Sequence, residues 1–240
     1  MIEQEETGLS ENARLAWDTI LQKPRKGIPS WALLLMEHSV LEWFAGTEQG
    51  SYVQDPENVY IAAQRNTGAC MLDQFIPRNP LKMSIAGYKG DEKGATTGAE
   101  SIVRDGITID SPEAAAEHME KFIFPELQHE IAAFDEDAHV AAILERERDI
   151  QGKLGPDILK AGHGFVKFPA LRYTAYGYVN YFMAYALFPD LIEKDFRLQG
   201  DWHELKNRAV ARAYKEGGLP PIHRLDHDMA DSRGTLVDIK

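Results

Sequence analysis

The chain has 240 residues, of which 44% are hydrophobic and 27% are charged, a balance typical of a globular protein. Its net charge of -12 repels phosphate backbones and anionic lipid surfaces, so nucleic acid and membranes are poor candidates for partners. Cys70 is the only cysteine, which excludes an intramolecular disulfide and a metal site built from several thiolates. The amino terminus lacks a basic segment followed by an apolar core, and no apolar run approaches the roughly 20 residues that cross a bilayer. These features predict a cytoplasmic protein and leave its oligomeric state open.

The first part of the chain alternates helical patterns with short apolar runs. Residues 10–22 have helical spacing and predict an entry helix, so we expect residues 1–26 to form a helical extension. The run 27–36 is apolar and bounded by glycine and proline, as expected of a strand that is buried on both faces. A helix over 56–68 and a second strand over 69–77 follow, which completes one βαβ unit.

Helices and strands continue to alternate after a long predicted loop over residues 78–100, which is rich in glycine, proline and lysine. Three further strands are predicted, at residues 101–110, 157–167 and 220–228. The helices between them are predicted at 111–122, 135–153, 176–187 and 189–217. Ser111 and Pro112 suit a helix start, and Pro125 is expected to break or kink the helix that follows.

This order of elements predicts an α/β fold with a parallel sheet, and the lack of a glycine fingerprint favours a barrel over a nucleotide-binding fold. A closed (β/α)8 barrel needs eight strands, and only five are predicted here. We therefore predict a (β/α)8 TIM-type barrel that is incomplete in this chain, with residues 1–240 forming a single barrel domain.

The stretch from Phe168 to Asp228 reads FPALRYTAYGYVNYFMAYALFPDLIEKDF, then a long helix, then PPIHRLDHD. It resembles the middle of the uroporphyrinogen decarboxylase superfamily, which includes corrinoid-dependent methyltransferases. In that family a strand leads to a small or aromatic cluster, a helix follows, and a later strand ends in an aspartate. The strands at 27–36 and 69–77 lie where the family's first two barrel strands would be.

Two departures from the family pattern bear on function. The decarboxylases carry an arginine-rich RQAGR-type motif after the first strand, whereas this chain reads ALLLMEHSV, which argues against a porphyrin substrate. The methyltransferases bind zinc through a His-x-Cys pair and a later cysteine in their carboxyl-terminal third. The resemblance thus implies a longer protein, with zinc possible only with residues beyond this chain.

The resemblance implies a uroporphyrinogen-decarboxylase-like enzyme, of which the leading form is a methyltransferase or demethylase that acts on a small molecule and uses a corrinoid carried on a partner protein. One alternative is a decarboxylase-type lyase acting on a tetrapyrrole or another acidic substrate. The other is a non-catalytic ligand-binding barrel or an inactive fragment.

Barrel enzymes place their active sites at the carboxyl ends of the strands, and this rule selects Asp73 as the leading catalytic candidate. Asp73 ends an apolar run, where burial and neighbouring donors tune a carboxylate for acid or base work. By resemblance it occupies the position of the family's substrate-facing aspartate. The alternative is a strand-end carboxylate that caps a loop.

Asp226 and Asp228 are the other two catalytic candidates, because strand alternation places both on one face at the end of the fifth strand. Two adjacent carboxylates require a cation or a proton between them, or an ion pair with Arg224 or Arg233. A structural aspartate–arginine network at the barrel rim is therefore the alternative, and no metal is assigned.

Five residues near strand ends are candidates for substrate binding: His38, Gln74, His163, Tyr176 and His227. His163 lies between Gly162 and Gly164, which leaves it uncovered by its neighbours but is equally typical of a simple turn. Tyr176 precedes an aromatic stripe at helical spacing that we expect to lie in the core.

Overall fold

The computed structural model describes residues 8–31, 35, 37–78 and 102–225, together with the backbone at 230–231 and 234–235. Helices dominate these residues. The α-helices are α1 (Glu11–Ile20), α2 (His38–Ala45), α3 (Ser51–Gln54), α4 (Pro56–Asn66), α5 (Pro112–His118), α6 (Phe124–Ala132), α7 (Glu136–Leu154), α8 (Tyr173–Tyr176), α9 (Tyr178–Leu187) and α10 (Pro189–Gly217). The strands are β1 (Met71–Leu72), β2 (Val103–Arg104), β3 (Ile107–Thr108), β4 (Leu159–Lys160), β5 (Ala230–Asp231) and β6 (Gly234–Thr235).

The central sheet consists of β1 and β4, which run parallel. Met71 lies opposite Leu159, and Leu72 lies opposite Lys160. Helices α5, α6 and α7 lie between these strands in the chain, with the β2–β3 hairpin and the segment 79–101 in the same connection. A parallel pair requires such a crossover. This pairing differs from the predicted βαβ unit, whose strands were placed at 27–36 and 69–77.

Two backbone contacts bring further segments close to the central sheet. The Cys70 N–H donates to the carbonyl of Ser30 at 2.7 Å. In the chain that follows β4, Phe165 and Arg224 form an isolated parallel bridge, and the Val166 N–H donates to the Arg224 carbonyl at 2.8 Å.

The predicted barrel is not confirmed, because the described residues contain no closed sheet and each named strand is two residues long. The predicted strand at 27–36 is irregular at residues 28–31, and Ile28 is 90% exposed. Pro29 has no N–H to donate to a ladder, which weakens pairing at this point. The mixed helix and strand content agrees with the coarser prediction of an α/β fold.

The prediction of a third barrel strand over residues 101–110 was wrong. It forms the antiparallel hairpin β2–β3, in which Val103 lies opposite Thr108. The turn residues Asp105 and Gly106 have φ values of 48° and 80°. Two consecutive positive φ values at Asp-Gly are typical of a tight two-residue hairpin turn, so this segment closes on itself and does not join β1 and β4.

Side chains cap three helices where the sequence supplies an acceptor. The Ser111 hydroxyl accepts a hydrogen bond from the Ala114 N–H at 3.2 Å, with Pro112 at the first helical position, as predicted. Asp135 accepts from the Ala138 N–H at 3.0 Å at the start of α7. Asp55 does the same for α4. Each bond satisfies a donor that the helix itself cannot pair.

Pro125 does not break its helix, where a break or a kink was predicted. The chain stays helical from Pro112 to Ala132, but Met119–Ile123 form a π-helical turn between α5 and α6. Proline lacks the N–H that would bond to the carbonyl four residues earlier, and a wider turn accommodates this loss.

Helices cover both faces of the central sheet. On one face Met71 and Leu159 pack with Ala13 and Ala16 of α1, so the predicted amino-terminal helix is confirmed and belongs to the core. On the other face Leu72 packs with buried residues of α2, α3, α4 and α7: Leu41, Tyr52, Val59, Tyr60, Ile150 and Leu154. The two strands are therefore covered by helices on both faces, and both carboxyl ends lie at the same edge of the sheet.

A second core forms around α5, α6, α8, α9 and the first part of α10. Its fully buried members include Met119, Phe124, Tyr176 and Tyr181. The 29-residue helix α10 links this core to α7, where Ala209 and Ala213 pack with Val140 and Ile143.

Candidate functional site

The carboxyl ends of β1 and β4 bring three polar segments together. Asp73 follows β1, and Gly162 and His163 follow β4. A methyl group built on Gly162 would lie 3.8 Å from the Asp73 Cβ, so the two segments pass close to each other. Arg224 approaches from the parallel bridge with Phe165. Parallel strands present functional residues at this edge.

Asp73 is buried, with 8% of its surface exposed. Its Oδ2 accepts a hydrogen bond from the Arg224 Nη1 at 3.1 Å, and the Arg224 guanidinium lies 4.8 Å from the centre of the Phe165 ring. The other carboxylate oxygen, Oδ1, is also buried, yet it has no hydrogen-bond partner among the described residues. A buried acceptor without a donor is uncommon in folded proteins and calls for a physical explanation.

A buried lysine, Lys160, contacts the backbone of Asp73. The Lys160 ammonium forms an ion pair with Glu147 of α7, with 2.8 Å between Nζ and Oε2. It also donates to the backbone carbonyls of Asp73, at 3.3 Å, and Gly162. Lys160 therefore ties the carboxyl ends of β1 and β4 to each other and to α7.

Glu147 joins this lysine to a histidine. Its Oε1 lies 2.6 Å from the Nδ1 of His163, while its Oε2 faces Lys160. Burial alone would raise the pKa of Glu147, but the bonds from His163 and Lys160 outweigh burial and lower it. Burial lowers the pKa of Lys160, and Glu147 opposes this effect by favouring the ammonium.

The loop after β4 is shaped by two glycines with positive φ, Gly162 at 77° and Gly164 at 63°. Side chains rarely adopt these conformations, and the two turns place His163 against Glu147. Tyr214 of α10 holds the segment that leads to Arg224, since its hydroxyl donates to the Ile222 carbonyl at 3.0 Å. Burial raises the pKa of Tyr214 to about 12, so this phenol keeps its proton.

Among the cavities that the described residues line, two lie next to segments of this region. The larger measures about 700 Å³ and is lined by residues that include Trp17, Glu147, Gln151, Leu159, Lys160 and Leu219. This volume is typical of small-molecule pockets. The smaller measures about 420 Å³ and includes Val166, Tyr214, Ile222 and His223. Neither lining includes Asp73 or His163.

The structure brings together some predicted site residues and separates others. Asp73 and His163 lie at the same sheet edge, and Gln74 follows directly, with its carbonyl 3.4 Å from the hydroxyl of Tyr60. Burial raises the pKa of Tyr60 to about 12. His38 begins α2 and its ring packs on Tyr52 at 4.9 Å. Asp226, His227 and Asp228 lie outside the described residues.

Tyr176 belongs to a different cluster from Asp73. It is 1% exposed, and its hydroxyl lies 2.9 Å from the Nδ1 of His118. The other ring nitrogen of His118 lies 2.9 Å from Asp105 in the hairpin turn. The phenol is thus enclosed in the second core, where it anchors the hairpin through His118.

Metal and membrane sites are absent from the part of the chain that the structure describes. No group of three or more His, Cys, Asp or Glu side chains there is arranged to hold a metal ion. No described helix has the length and apolar character that would let it span a membrane.

Sequence reasoning missed Glu147 and Lys160, although both left a signal. Within α7 the inward positions are Val140, Ile143, Glu147, Ile150 and Leu154. Glu147 is the charged exception in this apolar stripe. Lys160 likewise interrupts the apolar run Ile158 to Ala161. A charged residue at a core position requires a buried partner.

The chain was compared with known proteins by sequence and by structure. No protein-family model matches it, and neither a curated protein nor a solved structure shows significant similarity to it.

Proposed function

We propose that the chain is an enzyme of the uroporphyrinogen-decarboxylase-like kind that binds a small molecule through Asp73. The observation that carries this proposal is the Asp73 carboxylate, one oxygen of which is paired with Arg224 while the other is buried without a donor among the described residues. It lies where parallel strands end, the usual position of a substrate-binding group in α/β folds.

The lone acceptor defines the chemistry of the ligand. Leaving a buried acceptor unpaired costs on the order of 1–3 kcal/mol, and more for a charged group. A ligand N–H or O–H placed against Oδ1 would recover this free energy. Arg224 fixes the orientation of the carboxylate, and Phe165 supports the guanidinium.

The reaction class rests on the resemblance, which favours transfer of a methyl group between a small molecule and a corrinoid on a partner protein. The described residues do not fit a zinc site, because they contain no suitable cluster of ligands. We therefore derive no step through a metal. The part assigned to this chain is to bind and orient the methylated or demethylated small molecule.

The test uses reduced free cobalamin and a panel of methylamines, methoxy compounds and methyl thioethers. We expect at least one compound to transfer its methyl group, recorded as the absorbance change of cobalamin. The Asp73→Asn variant should react at least about 10-fold more slowly, because an amide presents its own donors and loses the charge. Asp110→Asn, an exposed aspartate in the same chain, is the matched control.

Three results would contradict the methyltransfer proposal in different ways. Equal rates of methyl transfer for Asp73→Asn and the parent chain would show that Asp73 does not bind the substrate. Release of carbon dioxide from an acidic substrate, without methyl transfer, would indicate a lyase. Ligand binding that depends on Asp73 but is followed by no reaction would indicate a binding protein.

A further inference from the structure

We propose that His163 is the acid–base group of this site and that Glu147 is its positioning residue. This inference rests on the proposed function, because it assigns a second role at the same sheet edge as Asp73. It starts from the contact of 2.6 Å between the His163 Nδ1 and the Glu147 Oε1.

The contact fixes which ring nitrogen carries a proton. An ionised carboxylate only accepts hydrogen bonds, so Nδ1 must be the N–H donor to Glu147. In the neutral ring the lone pair is then on Nε2, which has no hydrogen-bond partner among the described residues. The side chain of His163 is 18% exposed, whereas that of Glu147 is 5% exposed. The pair is therefore a buried carboxylate that directs the opposite nitrogen of a partly exposed imidazole outward.

Lys160 keeps the carboxylate in the form that this arrangement needs. Its ammonium contacts Glu147 at 2.8 Å and is itself 4% exposed. Carboxylate, imidazole and ammonium together explain why Glu147 remains ionised despite burial. When His163 takes up a proton, the imidazolium lies against a fixed negative charge, as in other histidine–carboxylate pairs.

The position of His163 suits action on a ligand held by Asp73. His163 follows Gly162, whose carbonyl and that of Asp73 both accept hydrogen bonds from the Lys160 ammonium. The other titratable and charged groups around this edge are Asp73 and Arg224, Lys160 on β4, Tyr214 on α10, and His139 and Arg146 on α7. Tyr214 retains its proton and the Lys160 ammonium is paired with Glu147, so neither of these two groups offers a free base.

The proton step balances in either direction of methyl transfer. When the bond between a heteroatom and its methyl group breaks, the bonding pair stays on the heteroatom while the methyl group passes to a nucleophilic acceptor. The His163 imidazolium donates its Nε2 proton to the heteroatom and becomes neutral. In the reverse direction neutral His163 removes the proton from the heteroatom, and the heteroatom then accepts the methyl group.

A first experiment needs no substrate. Long-range proton–nitrogen NMR on the unmodified protein should show neutral His163 with the proton on Nδ1. Diethyl pyrocarbonate, followed by mass spectrometry at each histidine, should acylate His163 several-fold faster than the exposed His129. A proton on Nε2, or acylation of His163 no faster than of His129, would overturn the inference.

A second experiment separates this inference from the proposed function. With any compound that reacts in the cobalamin assay, His163→Gln should lower the turnover by about 100-fold and leave its binding unchanged. Glu147→Gln should shift the pH profile of turnover, an effect that loss of packing alone does not produce. If Asp73→Asn still binds and turns over ligand but His163→Gln is inactive, the assignment of Asp73 fails and that of His163 stands. If His163→Gln is fully active, the assignment of His163 fails.

Discussion

The side-chain carboxamide of Gln151 completes the edge of β4 at Lys160. Its Oε1 accepts a hydrogen bond from the Lys160 N–H at 2.8 Å, and its Nε2 donates to the Ile158 carbonyl at 3.1 Å. A neighbouring parallel strand would bond to the same two backbone groups. One glutamine of α7 thus takes the place of a strand at this position.

We expect Gln151→Ala to lower the free energy of unfolding by about 2 kcal/mol, because three hydrogen bonds are lost, including one to the Gly155 carbonyl, and a part-buried N–H is left without a partner. The variant should also aggregate more readily, since it uncovers a strand edge. Urea unfolding and light scattering measure these two effects. Gln128→Ala, at an exposed position on α6, is the control and should behave like the parent chain. Equal stability of the two variants would contradict the edge-capping role.

The ion pair between Arg172 and Asp195 should be essential to the second core. Arg172 makes two hydrogen bonds to Asp195 from Nε, at 2.9 and 3.0 Å, and a third from Nη2 at 2.8 Å. Asp195 is fully buried and also accepts from Gln199 at 2.8 Å. We expect Asp195→Ala to cost about 3–5 kcal/mol, because it leaves a partly buried guanidinium without its partner. Denaturant unfolding measures the loss, with the exposed Asp190→Ala on the same helix as the control.

Glu147 should make the fold sensitive to acid. Its pKa is lowered in the folded protein, so the stabilisation it provides is complete above the unfolded value of about 4.3 and is lost as the pH falls through the folded value. The free energy of unfolding should therefore decline on acidification. Urea titrations between roughly pH 3 and pH 7 should show a shallower decline for Glu147→Gln than for the exposed Glu145→Gln. Parallel curves for the two variants would show that Glu147 gains no charge stabilisation on folding.

Tyr176→Phe separates a structural role from a role in ligand binding. The change removes the hydroxyl that lies 2.9 Å from the His118 Nδ1, inside the core. We expect a loss of about 1–3 kcal/mol in unfolding free energy, since His118 keeps a buried nitrogen without a partner. Turnover in the cobalamin assay should be unchanged. Tyr178→Phe, which removes a more exposed phenol hydroxyl, is the control. A loss of activity in Tyr176→Phe but not in Tyr178→Phe would show that Tyr176 takes part in ligand binding.

Several elements followed directly from the sequence because their signals are local. The Ser111 cap, Pro112 at the first helical position and the helical pattern over 135–153 each determine structure within a few residues. Asp73 was selected by its place at the end of an apolar run, and the structure places it at the end of β1. These are cases in which short-range propensity and burial agree.

Other features depended on contacts that no local pattern contains. Whether 101–110 forms a barrel strand or a hairpin depends on Asp105 and Gly106, whose turn chemistry outweighed the apolar run around them. The pairing of Glu147 with His163 joins two segments 16 residues apart across a helix end. The sequence shows that Tyr176 carries a phenol but does not show that His118 faces it.

The length of α10 has a consequence for how this fold tolerates change. Its first part carries Ile192 and Asp195 into the second core, and its second part carries Ala209 and Ala213 against α7. One inserted residue between these parts would rotate one set of contacts by about 100° relative to the other. A single-residue insertion in the middle of α10 should therefore destabilise the fold more than a substitution on its exposed face. The length and the rotation of α10 therefore fix the position of the second core relative to α7.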